Sequence, residues 1–161
     1  MTTSMNPDNF GRRNSVSSVD QYMDAAIRTA SPARLRLMVL ERSVEVAKLL
    51  ADLWRKKEQL GSNQYSLKLL DLINELLSGV VGGSNETENE VCHKVSDLYI
   101  FLSKHLLAAE ENSDADAIDE IRTVLEVETE TWRAVCAQEA PAQSMTNESS
   151  AEMPQGLNLQ G

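Results

Sequence analysis

The residues best able to hold a metal ion are the glutamate and the histidine of Glu90-Val91-Cys92-His93. A Glu-x-x-His spacing puts a carboxylate and an imidazole on one helix face. Di-iron helical bundles use two such pairs together with two further inward-facing glutamates. The chain has only two histidines, and the other one, His105, has no glutamate three residues before it. We therefore expect a helix-surface pair and no metal site.

A second candidate for metal binding is the acidic run that contains Asp114, Asp116, Asp119 and Glu120. A calcium loop of the EF-hand type needs a glycine at its sixth position and a glutamate at its twelfth. The run has neither, since Leu125 stands at the twelfth position. Acidic side chains in the first turn of a helix are stabilised by the helix dipole, and that explanation suffices for the run.

No arrangement of nucleophile and base is visible in the rest of the chain. Gly-x-Ser-x-Gly does not occur, and the glycine pairs follow no phosphate-loop pattern. We therefore predict no catalytic residue, no cofactor and no enzymatic activity.

Charge and composition restrict the partners that the protein can have. The 25 acidic residues outnumber the 15 basic ones, which gives a net charge of −10. Such a chain is repelled by phosphate backbones and anionic lipid heads, so we expect neither nucleic-acid binding nor membrane insertion. Two cysteines without a CxxC pattern, no signal peptide and no membrane-spanning run predict a cytoplasmic protein with free thiols.

The elements that position these residues are predicted to be helices. Hydrophobic residues make up 42% of the chain but aromatic residues only 4%, and Leu, Val, Ile and Ala dominate. That mixture favours helices packed on helices. Residues 1–18 and 140–161 lack periodic apolar positions and are predicted to be disordered tails. Residues 19–139 are predicted to form one folded domain.

Four long helices can be placed by their terminal residues. Ser31-Pro32 starts the first, which Gly61 ends, and the second covers Gln64 to Ser78. Ser84-Asn85-Glu86 opens the third, and Ser113-x-x-Asp116 resembles a capping box that opens the fourth. Connections of a few residues predict an antiparallel four-helix bundle. A further short helix around Val19 to Arg28 could pack against it.

The second and third long helices carry more apolar surface than one core face requires. The first helix, by contrast, has two regular stripes, as a helix with two neighbours should. An excess of apolar surface marks either additional core, a homodimer seam or a groove for a partner helix. Periodicity leaves these alternatives open.

The order of several short patterns resembles the flagellar export chaperone FliS family. Tyr22 precedes Thr29-Ala30-Ser31-Pro32-Ala33-Arg34-Leu35-Arg36-Leu37-Met38, which is similar to the family's "TASP…L.LML" helix start. Leu72-Ile73-Asn74-Glu75-Leu76 is similar to "II.EL" in the next helix. Leu98-Tyr99 and then Trp132 follow the family's pattern in the last two helices. The resemblance covers about residues 19–137.

The resemblance implies a four-helix or five-helix cytoplasmic bundle that binds the C-terminal segment of flagellin. That segment is disordered when free and forms helices as it wraps the chaperone. Binding hides the surface through which flagellin polymerises, and the complex is then delivered to the export gate. By resemblance, Tyr22 lies in the N-terminal region that touches the gate or covers the empty groove.

On this basis we predict a partner-binding cleft between the second and third long helices. For every residue in it, a place in the ordinary core is an equally open alternative. The predicted cleft residues are Leu69, Ile73, Leu76, Leu77, Leu98, Leu102 and Leu106.

Two other functions compete with the chaperone. One is a structural or adaptor bundle that homodimerises through the second and third long helices, which also leaves a dimer of the unloaded protein open. The other is a metal-dependent bundle enzyme, which the single Glu-x-x-His motif disfavours.

Overall fold

The computed structural model describes residues 17–148, which form five α-helices and the connections between them. The helices are α1 (Ser18–Thr29), α2 (Pro32–Arg55), α3 (Gln64–Ser78), α4 (Glu86–Asn112) and α5 (Ala115–Glu148). The prediction of an all-α protein is confirmed. Of the two predicted disordered tails, residues 1–16 and 149–161 lie outside the described residues.

Helix α1 belongs to a compact unit of its own that ends at Ala30. It corresponds to the short helix predicted around Val19 to Arg28. Ser17 and Asp20 form a reciprocal cap at its start: the Ser17 hydroxyl donates to the Asp20 carboxylate at 2.8 Å and accepts the Asp20 N–H at 3.2 Å. Such a cap satisfies N–H groups that have no partner inside the helix.

Helices α2 to α5 form the second unit, and each of the first three packs on the helix that follows it. Helix α5 also packs on α2 and closes the bundle. Arg55 at the end of α2 pairs with Asp116 at the start of α5 at 3.0 Å. Ser31 before α2 donates to Glu139 near the other end of α5 at 2.9 Å. These contacts show that α2 and α5 are antiparallel, as predicted for a four-helix bundle.

The start of α2 is the one that the sequence predicted. The Ser31 hydroxyl accepts the Arg34 N–H at 3.2 Å, and Pro32 occupies the first turn, where its missing N–H costs nothing. Helix α3 also has its predicted bounds. Its cap is Asn63, whose side-chain oxygen accepts the N–H groups of Tyr65 and Ser66.

The capping box predicted at Ser113 and Asp116 is wrong. Ser113 has a left-handed backbone, with φ 51° and ψ 48°, and ends α4 instead. The cap of α5 is Asp114, whose carboxylate accepts the N–H groups of Asp116 and Ala117 at 3.1 Å each. The Ser113 hydroxyl accepts the Gly61 N–H at 2.7 Å and so joins the two connections at this end of the bundle.

Helix α5 is longer than the sequence suggested. The folded domain was predicted to end at residue 139, and Pro141 lies in the segment that was predicted to be a disordered tail. The helix continues to Glu148. A single proline removes one backbone hydrogen bond, and a helix can continue through that loss with a kink.

The core of the bundle consists of leucine, isoleucine, valine and alanine side chains from all four helices, together with Trp54 and Tyr99. The predicted stripe on α2 is confirmed, since Leu37, Leu40 and Ala47 are buried. Close packing of this kind makes the loss of even a few methyl groups costly.

Two neighbouring leucines of α4 test the division between core and surface. Leu106 is fully buried and Leu107 is 48% exposed. Leu106→Ala should lower the free energy of unfolding by about 2–5 kcal/mol because it leaves a cavity. Leu107→Ala is the matched control and should change it by about 0.5 kcal/mol or less. Urea denaturation followed by circular dichroism measures both, and equal losses would contradict the assignment of Leu106 to the core.

Candidate functional site

The structure buries most of the side chains that were predicted to line a cleft. Five of them contact the core cluster with almost no exposed surface: Leu69, Ile73, Leu76, Leu102 and Leu106. Leu77 and Leu98 are half-buried. Tyr22 lies on α1 and is 74% exposed. Contact of these eight residues with a partner stays a prediction.

The N-terminal half of α4 is the part of the bundle with the least packing. Every buried residue of α4 lies at or after Tyr99. The apolar stripe of the sequence begins about two turns earlier, at Val91, but Val91 is 55% exposed and Val95 only half-buried. Among the described residues of the bundle, no neighbour fully covers the first half of this stripe.

An open cavity of about 480 Å³ lies beside this half of α4. Its wall is formed by the first two turns of α2, the end of α3, the start of α4 and one side chain of α5. Most of the lining is apolar: Pro32, Ala33, Leu35, Val39, Leu76, Val80, Val81, Val91, Cys92, Val95 and Trp132. The volume lies within the range of about 300–1,000 Å³ that is typical of ligand clefts.

The connection between α3 and α4 forms one edge of the cavity. The Ser84 N–H and hydroxyl both donate to the Glu88 carboxylate, at 2.6 and 2.7 Å, and these hydrogen bonds lower the pKa of Glu88. A side chain at Gly83 would clash, because its Cβ would lie 2.1 Å from the Glu88 Cβ. The Cys92 thiol donates to the Val81 carbonyl at 2.9 Å. Together these contacts hold the start of α4 in place.

Arg36 is the only cationic side chain among the described residues that line this cavity. Its guanidinium lies between the rings of Tyr99 and Trp132, 5.4 and 5.0 Å from their centroids. One nitrogen donates to the Leu76 carbonyl at 3.2 Å and another to the Tyr99 hydroxyl at 2.9 Å. The Nε of Arg36 is buried and has no partner among the described residues. A side chain from α2 thus contacts α3, α4 and α5.

Sequence reasoning did not single out Arg36. A signal for it existed, since Ala33, Arg36 and Leu40 are spaced by three and four residues and so share one helix face. A charged residue on a face that is otherwise buried indicates a specific partner.

The Tyr99 hydroxyl also connects α4 to α5. It donates to the Glu128 carboxylate at 3.0 Å. Burial raises the pKa of Tyr99 to about 12, and the negative charge of Glu128 adds to the rise, whereas the Arg36 guanidinium opposes it. The neutral phenol is therefore the form that the bundle stabilises.

Other kinds of site find little support in the described residues. Over residues 17–148, no three His, Cys, Asp or Glu side chains come together in a way that could hold a metal ion. Within the same range, no helix is both long enough and apolar enough to cross a membrane.

Comparison with known protein families identifies the family of the chain. The family model described as flagellar protein FliS matches residues 15–139, which include α1 to α4 and most of α5. The chain belongs to the FliS family. This confirms the family that the sequence patterns suggested, and it assigns the protein a role as a flagellar chaperone. No curated protein and no solved structure matches the chain.

FliS proteins are chaperones rather than known enzymes. The open, apolar wall of the cavity suits side chains of a partner segment. An arginine with aromatic neighbours at the wall adds a polar group that can fix orientation.

The raised pKa of Tyr99 predicts a loss of stability at high pH. Below about pH 10 the phenol is protonated in both the folded and the unfolded chain. Between about pH 10 and 12 the unfolded chain releases this proton and the folded chain keeps it, so the free energy of unfolding falls as pH rises. Urea denaturation over this range should show a steeper fall for the wild type than for Tyr99→Phe. Parallel curves would contradict the prediction, because lysine titration is common to both proteins.

Proposed function

We propose that this FliS protein binds the C-terminal segment of flagellin in the cytoplasm, prevents premature polymerisation and delivers the segment to the flagellar export gate. The open apolar cavity between α2, α3 and α4 is the observation that carries the proposal. Under this proposal the protein acts by binding alone, without a catalytic step.

The cavity suits one apolar face of an amphipathic helix. Most of its lining from α2 to α4 is apolar, and the lining valines Val81 and Val91 are exposed to solvent. A partner side chain that enters the cavity would bury apolar surface worth roughly 25 cal/mol per Å². A flagellin segment that folds on binding must gain enough in this way to offset the entropy of its own ordering.

The predicted cleft residues contribute in different ways under this proposal. Leu76 lines the cavity, and Leu77 and Leu98 are half-buried and can be reached from outside. The other four leucine and isoleucine residues hold the wall in place from the core. Tyr22, exposed on α1, is the residue that we propose for contact with the export gate.

Calorimetric titration with the last part of the host's flagellin tests the proposal. A one-to-one complex with a negative change in heat capacity and added helical circular dichroism is expected, because apolar surface is buried and the segment folds. The absence of binding at micromolar concentrations would reject the proposal.

Two valines provide a matched pair of variants for locating the site. Val91 on α4 lines the cavity and is 55% exposed, and Val127 on α5 is 63% exposed. Val91→Asp should weaken binding of the flagellin segment tenfold or more, whereas Val127→Asp should leave it unchanged. Both variants should keep the melting temperature, since neither valine is in the core. Equal effects on binding would place the site elsewhere on the bundle.

A homodimeric adaptor is the second candidate, and one observation favours it. Leu67 on α3 and Ile100 and Leu107 on α4 are exposed apolar residues outside the cavity. Light scattering on the protein alone distinguishes the two functions: a stable dimer that Leu107→Asp dissociates would favour the adaptor.

A further inference from the structure

The Arg36 guanidinium in the wall of the apolar cavity indicates which charge a partner should present. Arg36 makes its two side-chain hydrogen bonds to a carbonyl and a phenol, neither of which carries a negative charge. Four other arginines of the bundle pair directly with carboxylates: Arg42, Arg55, Arg122 and Arg133. Arg36 differs from these four arginines, because no carboxylate among the described residues contacts its guanidinium.

The acidic group that shares a hydrogen-bond partner with Arg36 is Glu128. Glu128 accepts the hydrogen bond of the Tyr99 hydroxyl, and that hydroxyl lies between the carboxylate and the guanidinium. A half-buried positive charge without a direct counterion is costly, because water no longer solvates it fully. The aromatic rings of Tyr99 and Trp132 offset part of that cost through cation–π attraction.

Arg36 lines the open cavity and keeps N–H donors that its own contacts do not use. A guanidinium has five N–H donors, and the hydrogen bonds to Leu76 and Tyr99 use two of them. Gly79 lies beside the group, and a Cβ at that position would be 3.3 Å from Nη1. A side chain at position 79 would therefore crowd the guanidinium.

We propose that the cavity recognises a helical segment that presents an aliphatic side chain together with an acidic side chain one turn away. The aliphatic side chain enters the valine-lined cavity, and the carboxylate pairs with Arg36. Glu75, which also lines the cavity, disfavours an acidic group on its own side and so restricts the orientation of the segment. This inference rests on the proposed function, since the segment is taken to belong to flagellin.

A double-mutant cycle tests the pairing. The protein variants are the wild type and Arg36→Met, which keeps an apolar stem without the charge. The peptide variants are the flagellin C-terminal segment and versions in which each acidic residue is replaced in turn by its amide. For one acidic position, either single change should weaken binding about tenfold, and the two together should weaken it little further. Any general loosening of the bundle by Arg36→Met cancels in the cycle.

Arg34→Met is the matched control, because Arg34 is an exposed arginine of the same helix. It should show no coupling to any acidic position of the segment. Circular dichroism and the melting temperature show whether Arg36→Met is folded. If Arg36→Met does not fold, Arg36→Lys replaces it in the cycle, and a loss of coupling is then expected because an ammonium lacks the planar fork.

The outcomes separate the inference from the function on which it rests. No binding of the segment by the wild type would reject the proposed function and the inference together. Tight binding by the wild type with no coupling at any acidic position would overturn the inference alone.

Discussion

The bundle depends on one side chain that reaches across its interior, that of Arg36. Apolar contacts are non-directional, so a set of leucines can be packed in several registers. The Arg36 guanidinium must meet the Leu76 carbonyl, the Tyr99 hydroxyl and the Trp132 ring at the same time. Each of these groups belongs to a different helix. Because these contacts are directional, they favour the observed register of the four helices at this end.

The two ends of the bundle are stabilised by different means. At the end where α2 stops, Arg55 pairs with Asp116, and Ser113 accepts the N–H of Gly61 across two connections. At the other end, the polar contacts of Arg36 and the cap of α4 surround an apolar cavity that no described side chain fills. One end is thus closed and the other open. The proposed function uses the open end, where a partner can complete the packing that α4 lacks.

Much of this fold could be predicted from the sequence, because helix starts depend on short local patterns. The cap at Ser31-Pro32 and the bounds of α3 followed from residue type alone. The cap of α5 lies one residue later than predicted, since both Ser113 and Asp114 can cap a helix and only the left-handed backbone of Ser113 decides between them. The site was harder to predict. Periodicity shows which residues share a face, but it does not show whether a neighbour covers that face. Leu106 and Val91 lie on apolar stripes of one helix, yet only the first is buried.

The uneven packing of α4 has a consequence for how this helix moves. The first three turns bury no side chain, whereas the turns from Tyr99 onward do. Local opening costs least where few contacts are lost. The amide protons of the first turns should therefore exchange with solvent through brief local unwinding. Those of the later turns should exchange only when the whole bundle unfolds. Helix α4 is thus one continuous helix, but its two halves differ in the free energy needed for local opening.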